Sequence, residues 1–359
     1  MRLSDIAALR LVNQQIAESR FTTVKDLVGW MGAMQAQDYA MAKWAIGVRL
    51  PNSTEQVIET AIDNGEIIRT HLLRPTWHLV SADDIYWLIE LTAPNIKASV
   101  KSRHNQLGLS ETIIAKSKSI FENTLRGGKH ITREELVAEL RKAGIATDEN
   151  RAYHLFAQAE LDGILCSGAT RNGKQTYALL EERVPKTRTL DKDATLAALA
   201  RKYFSSHGPA TLQDFTWWSG LSASNAKLAL ELVKSDFISE IIDSQTYWFP
   251  DFSAIPKIDH KAVYLLPAYD EFIISYKDRS ASLLFENHNK TVSNNGIFRP
   301  VIVVDGQVMG TWKRVIKKGK VIVETELFNL LNQTTISLIE KAAIPYGHFL
   351  GKQVEFTNV

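Results

Sequence analysis

A chain of 359 residues is long enough for two or three domains, and an apolar content of 45% excludes a disordered chain. No apolar run reaches the length of a membrane span, the start Met1-Arg2-Leu3-Ser4-Asp5 lacks the apolar core of a signal peptide, and the single cysteine, Cys166, excludes an internal disulfide or a cysteine-based zinc cluster, as expected in a reducing cytoplasm. The nine histidines are scattered with no His-Glu-x-x-His pattern, so no metal is expected, and a net charge of +2 leaves any electrostatic footprint to local asymmetry.

The first helix is expected over Ile6–Ala17. Thr23 to Asp26 then reads as a capping box opening a second helix: the Thr hydroxyl accepts from a free N–H at the helix start, and the acidic residue adds favourable charge. A hairpin follows over Ile67–Leu72 and Thr76–Val80, around Arg74-Pro75. Asp83–Leu91 and Asn95–His104 read as two helices broken at Pro94. The pattern then repeats with helix Ile113–Leu125, box Thr132 to Glu135, and helical Arg151–Leu161. Strands Ile164–Ser167 and Gln175–Leu179 follow, joined around Asn172-Gly173, a type I′ turn signal. A third copy runs through Thr195–Ser205, Thr211 to Asp214, Ala223–Val233, and strands Phe237–Ile242 and Thr246–Phe249.

Helix, helix, helix, hairpin is the winged-helix order. The remainder differs. Ala262–Tyr264 leads into Leu265-Leu266-Pro267-Ala268-Tyr269-Asp270-Glu271, and Pro300–Val304, Gln307–Arg314 and Lys320–Glu326 form a meander turning at Asp305-Gly306 and Lys318-Gly319, with a helix over Thr335–Ala343 packed on it. The expected fold is α+β, mainly α: winged-helix units at 1–105 (with extra helices), 106–186 and 187–258, then a small β-rich domain at 259–359. Three units in one chain, with no leucine-rich dimer helix, favour a monomer.

No Gly-rich phosphate loop and no Gly-x-Ser-x-Gly elbow is present. Met31–Tyr39 instead holds two glutamines, Gln35 and Gln37. In an ideal helix such residues point about 200° apart; in an extended segment they share a face. If both serve one substrate, the helix from Thr23 ends or distorts near Gln35. Spacing alone favours the plainer alternative, with one glutamine at a helix end and the other solvated. Basic residues cluster at Lys97, Lys101 and Arg103, at Arg171 and Lys174, at Lys277 and Arg279, and at Lys313, Arg314, Lys317, Lys318 and Lys320. Each cluster taken singly reads as ordinary surface. Arg74, near a hairpin tip, would reach phosphate, whereas His78 could face either core or cleft.

Gln35-Ala36-Gln37-Asp38, followed by Trp44 and Val48-Arg49, resembles the glutamine–apolar–glutamine motif of the AlkZ-like bacterial DNA glycosylases. Arg69–Val80 resembles their Arg-Thr…Arg-Gly/Pro-Thr…His segment, and Leu265–Asp270, Tyr276–Arg279 and Gly310–Arg314 resemble their C-terminal block. The resemblance covers nearly the whole chain in order. It implies three tandem winged helices and a β-domain in a C shape around double-stranded DNA, hydrolytic removal of N-alkylated purines including those in interstrand crosslinks, no cofactor, and a nucleoid-associated cytoplasmic location. A sister branch carries Asp at the second motif position, so Gln37 places the chain nearer the crosslink branch. The chemistry suits glutamine, which does not titrate but can hold a water. A purine alkylated at N7 or N3 is already cationic and leaves neutral, so the enzyme needs a positioned water and a stabilised positive charge rather than a strong acid. On this reading Gln37 holds the water and Gln35 positions it or touches the sugar. Arg69, Arg74, His78, Arg171, Lys174, Lys277, Arg279, Lys313 and Arg314 then contact nucleic acid. The alternative is a non-enzymatic winged-helix transcriptional regulator.

Overall fold

A computed structural model of the chain describes residues 1–186, 190–251 and 262–358, so the expected boundaries at 187 and at 258 and 259 lie outside the described residues. The N-terminal segment contains helices Leu3–Asn13, Val24–Met31, Tyr39–Gly47 and Glu55–Asp63, then the hairpin Ile67–Leu72 and Thr76–Ser81, with Met34–Gln35 as a short third strand on the Thr76–Ser81 edge. The next segment contains Glu111–Leu125, Arg133–Lys142 and Arg151–Leu161, then strands Leu165–Ser167 and Thr176–Leu179. Asn172 and Gly173 both have positive φ, +53° and +73°, as the I′ turn requires. A third run, Lys192–His207, Leu212–Ser219 and Ala223–Val233, ends in strands Ile238–Ile242 and Gln245–Phe249. Helices followed by a hairpin thus recur in all three segments.

The caps form as their residue types dictate. Thr132 and Thr211 accept the N–H three residues on, and Glu135 and Asp214 accept in return from the Thr132 and Thr211 N–H groups. At Thr23 only half of the box is made: the hydroxyl accepts from the Asp26 N–H at 3.1 Å, and donates in turn to the Asp26 carboxylate at 2.7 Å, leaving the Thr23 N–H outside the box.

The break expected at Pro94 does not occur. Ile85–Gln106 is one helix that runs through the proline, and Gln333–Leu350 likewise runs through Pro345. An interior proline leaves the carbonyl four residues earlier without its N–H partner, at a cost of about 3 kcal/mol. Those carbonyls belong to Glu90 and Lys341, both exposed residues, so water can replace the lost partner. The opposite face of the first helix buries Trp87, Leu88, Ile89, Ala93 and Ile96, and that packing overrides the local preference.

The C-terminal sheet has five strands in the order Gln353–Asn358, Lys320–Leu327, Gln307–Lys317, Val301–Val304, Val263–Leu266. Its outermost strand, Gln353–Asn358, is absent from the sequence expectation and pairs in parallel, reached by a crossover through the Gln333–Leu350 helix.

The cores cross between segments. One joins Ile68, Leu72 and Val80 of the first hairpin to Tyr203, Phe215 and Trp218 of the third segment. A second joins Val28, Met34 and Trp44 to Leu265, Trp312 and Tyr346 of the C-terminal sheet. The middle segment buries its own cluster around Phe121, Leu136 and Phe156. No helix among the described residues is long and apolar enough to cross a membrane.

Candidate active site

The two glutamines lie at the seam of the two shared cores. Gly32, at φ +76°, ends the Val24–Met31 helix and turns the chain into extended structure. Ala33 packs into one core, and Met34 and Ala36 into the other. Gln35 stands opposite His78, and the Ala36 N–H donates to the Trp77 carbonyl at 2.7 Å. The segment is therefore an edge strand, not a helix, and the Gln35 N–H faces away from the hairpin.

That outward N–H donates to Oε1 of Glu271 at 2.5 Å. Glu271 opens the one-turn helix Glu271–Ile274, is only 1% exposed, and accepts on its other oxygen from the Trp218 indole N–H at 3.2 Å and from the Ser275 hydroxyl. Burial by itself would push this carboxyl up. His207, with Nε2 3.6 Å away and itself pushed down by burial, the Ser275 hydroxyl and the Gln35 N–H outweigh it and hold it below the usual carboxylate range.

The Gln35 side chain is also committed. Its oxygen accepts from Nη2 of Arg74 at 3.1 Å and faces the Thr76 hydroxyl at 3.5 Å. Arg74 sits in the hairpin loop after Leu73, which has φ +55°, and faces inward rather than toward solvent. Its guanidinium lies 5.4 Å from the centre of the Trp217 ring, around which Lys277 at 5.0 Å and Arg279 at 5.7 Å also gather. Three cations share one indole, which anchors them by cation–π attraction while raising local positive potential. Burial first, and then Arg74, pull Arg279 down to about 10, so it stays charged at neutral pH.

Gln37 differs in every respect. It is exposed, in the bend before the Tyr39–Gly47 helix, and no hydrogen bond among the described residues engages its amide. Its neighbour Asp38 caps that helix, accepting the Met41 N–H at 3.1 Å, and lies 3.9 Å from Nη2 of Arg314. Arg69 braces the bond between the two glutamines. Its Nε and Nη2 donate to the Ala36 carbonyl at 3.1 and 3.0 Å, its Nη1 donates to Gln175 at 3.2 Å, and its guanidinium lies 4.2 Å over Trp77. Beyond it a cavity of about 550 Å³ opens between the first and second segments, lined in part by Tyr39, Trp77, Arg133 and Lys174.

Of the residues expected at the site, Gln35, Gln37, Arg69, Arg74, Lys277, Arg279 and Arg314 thus gather around one segment. Lys313 is exposed on the Gln307–Lys317 strand, and Arg171 and Lys174 sit at the second hairpin, with Arg171 paired to Glu135. Two expectations need correction. Arg74 is turned into the protein by its bond to Gln35 and is no free hairpin tip. His78 is fully buried, its Nδ1 donating to the Thr76 carbonyl at 3.0 Å, so it cannot touch nucleic acid.

Burial, and next Arg74, push His78 down to about 3, so the ring is neutral at pH 7. The unfolded chain binds this proton near 6.5 and the folded one does not. The His78 contribution to stability is therefore complete above pH 6.5 and drains away as pH falls toward 3. Urea unfolding should lose roughly 2 kcal/mol from this group between pH 7.5 and 5. His78→Asn, which keeps a donor toward Thr76, should flatten that slope. An unchanged slope would show that His78 titrates normally in the folded protein.

Sequence reasoning overlooked Glu271 and Trp217. Glu271 had a signal: Asp270-Glu271 stands between Leu265-Leu266-Pro267-Ala268 and Phe272-Ile273-Ile274, and acids inside an apolar stretch are buried with dedicated partners. Trp217 had none, because the cations around it come from two distant segments.

Over 325 residues, 86% of this chain and 87% of the other, the sequence is 22% identical to an interstrand DNA cross-link repair glycosylase of Streptomyces sahachiroi. The fold resembles that of the Streptomyces sahachiroi DNA glycosylase AlkZ with a TM-score of 0.83 at 18% identity, covering 100% of both chains. Residues 28–349, which hold both glutamines, Arg74, Trp217 and Glu271, match the family described as DNA glycosylase AlkZ-like, and the chain belongs to that family.

Proposed function

We propose that the protein is a monofunctional DNA glycosylase that hydrolyses the N-glycosidic bond of cationic N-alkylated purines in duplex DNA, N7-alkylguanine first and interstrand crosslinks through such bases by extension. One observation carries the reading: the chain fixes Gln35 at both its backbone and its side chain, yet leaves the Gln37 amide exposed beside it and, among the described residues, unengaged. Arg74 can only donate, so the Gln35 oxygen must face it and the Gln35 NH₂ is the group left to meet a ligand. Gln37 offers both a carbonyl and an NH₂. It is the residue suited to accept a hydrogen bond from the attacking water, with Gln35 orienting that water or the sugar.

The bond between C1′ and the purine nitrogen breaks with its electron pair passing to the base, which leaves neutral. The sugar carries the positive charge, water adds at C1′, and its proton is lost to solvent. No group in this sequence of events has to titrate, which is why two amides suffice. The repeated helices and hairpins support reading each segment as a winged helix, and Lys277, Arg279, Lys313, Arg314, Arg171 and Lys174 as groups that meet phosphate along a DNA path past Gln37. We read the protein as a cytoplasmic monomer needing no cofactor.

The test is excision from a duplex carrying one 7-methylguanine. The free base should appear with an intact abasic strand that breaks only in alkali, borohydride should trap no protein–DNA adduct, and duplexes with uracil or 8-oxoguanine should survive. A transcriptional regulator would bind such duplexes and release no base. An adduct trapped by borohydride would instead demand an amine nucleophile.

A further inference from the structure

We infer that Glu271 is a positioning residue for base excision: by taking the outward N–H of Gln35 it fixes the strand that aims Gln37 at its water. The inference rests on the glycosylase reading and assigns it a residue outside the glutamine motif. Met34–Gln35 is the edge of its sheet, and an edge strand has one row of N–H groups that no neighbouring strand satisfies. Ala36 spends its N–H on the hairpin and Gln35 faces the other way. A further strand could pair there. The protein supplies a single carboxylate instead, from the far C-terminal region, 236 residues later in the chain.

The carboxylate is itself immobilised. Trp218 and Ser275 donate to the oxygen that Gln35 does not use, and Asp270, one residue earlier, is locked to Arg49. Trp218 comes from the third segment, Glu271 and Ser275 from the C-terminal region, and Gln35 from the first. A strand two residues long has too few ladder bonds to hold its own geometry. With Glu271 on one side and Arg74 on the other, Gln35 is clasped between a buried anion and a cation, and Gln37 follows two residues later with little freedom left. A misplacement of about 1 Å at such a group can cost on the order of a hundredfold in rate.

Reach and charge can be separated by substitution. Glu271→Gln keeps the reach: its oxygen can still accept from Gln35, while its NH₂ takes the place of the oxygen that accepts from the Trp218 indole and leaves that N–H without its acceptor. Glu271→Asp keeps the charge but is one methylene too short. Single-turnover excision of 7-methylguanine should fall by less than about tenfold in Glu271→Gln and by about a hundredfold or more in Glu271→Asp, with duplex affinity held within about twofold in both. A faster Asp than Gln variant would overturn the inference in favour of a purely electrostatic role. Rates that merely follow each variant's Tm would overturn it in favour of a general structural one. Hydrogen exchange of the 33–38 peptide in the folded proteins reads the clasp without any chemistry. Protection should drop at least tenfold in Glu271→Asp and persist in Glu271→Gln, and equal protection in both would overturn the clasp even if excision proved absent from the wild-type protein.

Discussion

Replacing Gln37 by Ala is expected to lower single-turnover excision of 7-methylguanine by roughly ten- to a thousandfold, the range seen when one stabilising group is removed from other enzymes. Affinity for the same duplex should stay within about twofold, because a contact made only in the transition state lowers the rate without touching ground-state binding. The geometry sharpens this expectation. Gln37 is exposed and engages no other side chain by hydrogen bond among the described residues, so its truncation should leave Tm unchanged. Gln35→Ala should behave differently. It removes the acceptor facing Arg74, a guanidinium already buried with its Nε unpartnered among the described residues, and leaves a buried charge with one fewer bond. That variant should lose stability as well as rate, and its smaller catalytic loss must be read at a temperature where it is fully folded. The double variant excising at the wild-type rate would end the assignment of both glutamines.

The local rules of sequence reading carried well where the information is local. Thr132 and Thr211 capped helices as their spacing dictates, Asn172-Gly173 and Asp305-Gly306 made turns with both residues at positive φ, and the hairpin expected around Arg74-Pro75 forms and supports the site. Rules of propensity failed where packing opposes them, as at Pro94, where one buried face outweighs one lost hydrogen bond. The candidate site was legible only through its motif. Two residues apart in sequence says nothing about a shared face until the backbone is known to be extended, and what extends it is Gly32 together with a pairing to Trp77 and His78 more than forty residues on. Arg74 shows the same limit. Its place in a hairpin loop suggested a solvent-facing cation, and only its acceptor on Gln35, a partner from another strand, turns it inward. Glu271 and Trp217 depend on three segments meeting at one point, and no periodicity or spacing encodes that meeting.

Arg49→Ala should destabilise the protein by about 3–5 kcal/mol, the cost of breaking a buried pair by removing one member. Arg49 is fully buried, and all five of its N–H donors are used. Nη1 and Nη2 each donate to Asp270 at 2.8 Å, Nε donates to the Gln14 carbonyl, Nη1 also to the Ala45 carbonyl, and Nη2 also to the Gln14 side chain, each at 2.9 Å. These partners come from the two ends of the chain, so one guanidinium ties the N-terminal helices to the C-terminal region. Lysine cannot replace it: three donors on a point charge cannot span both carboxylate oxygens and two carbonyls, so Arg49→Lys should also lose at least about 2 kcal/mol. Asp270→Ala should cost as much as Arg49→Ala, since it leaves the guanidinium uncompensated and removes the acceptor for the Phe272 N–H. The double variant should cost less than the sum of the singles, because the charge stranded by each single replacement is absent when both are gone. Urea midpoints at constant m-value measure all four proteins. A loss below about 1 kcal/mol for Arg49→Ala would mean that the pair is solvated rather than buried. The consequence also reaches the glutamines: Asp270 caps the turn that begins with Glu271, so a loosened Arg49 pair frees the carboxylate that holds Gln35, and excision should weaken in these variants even at temperatures where they remain folded.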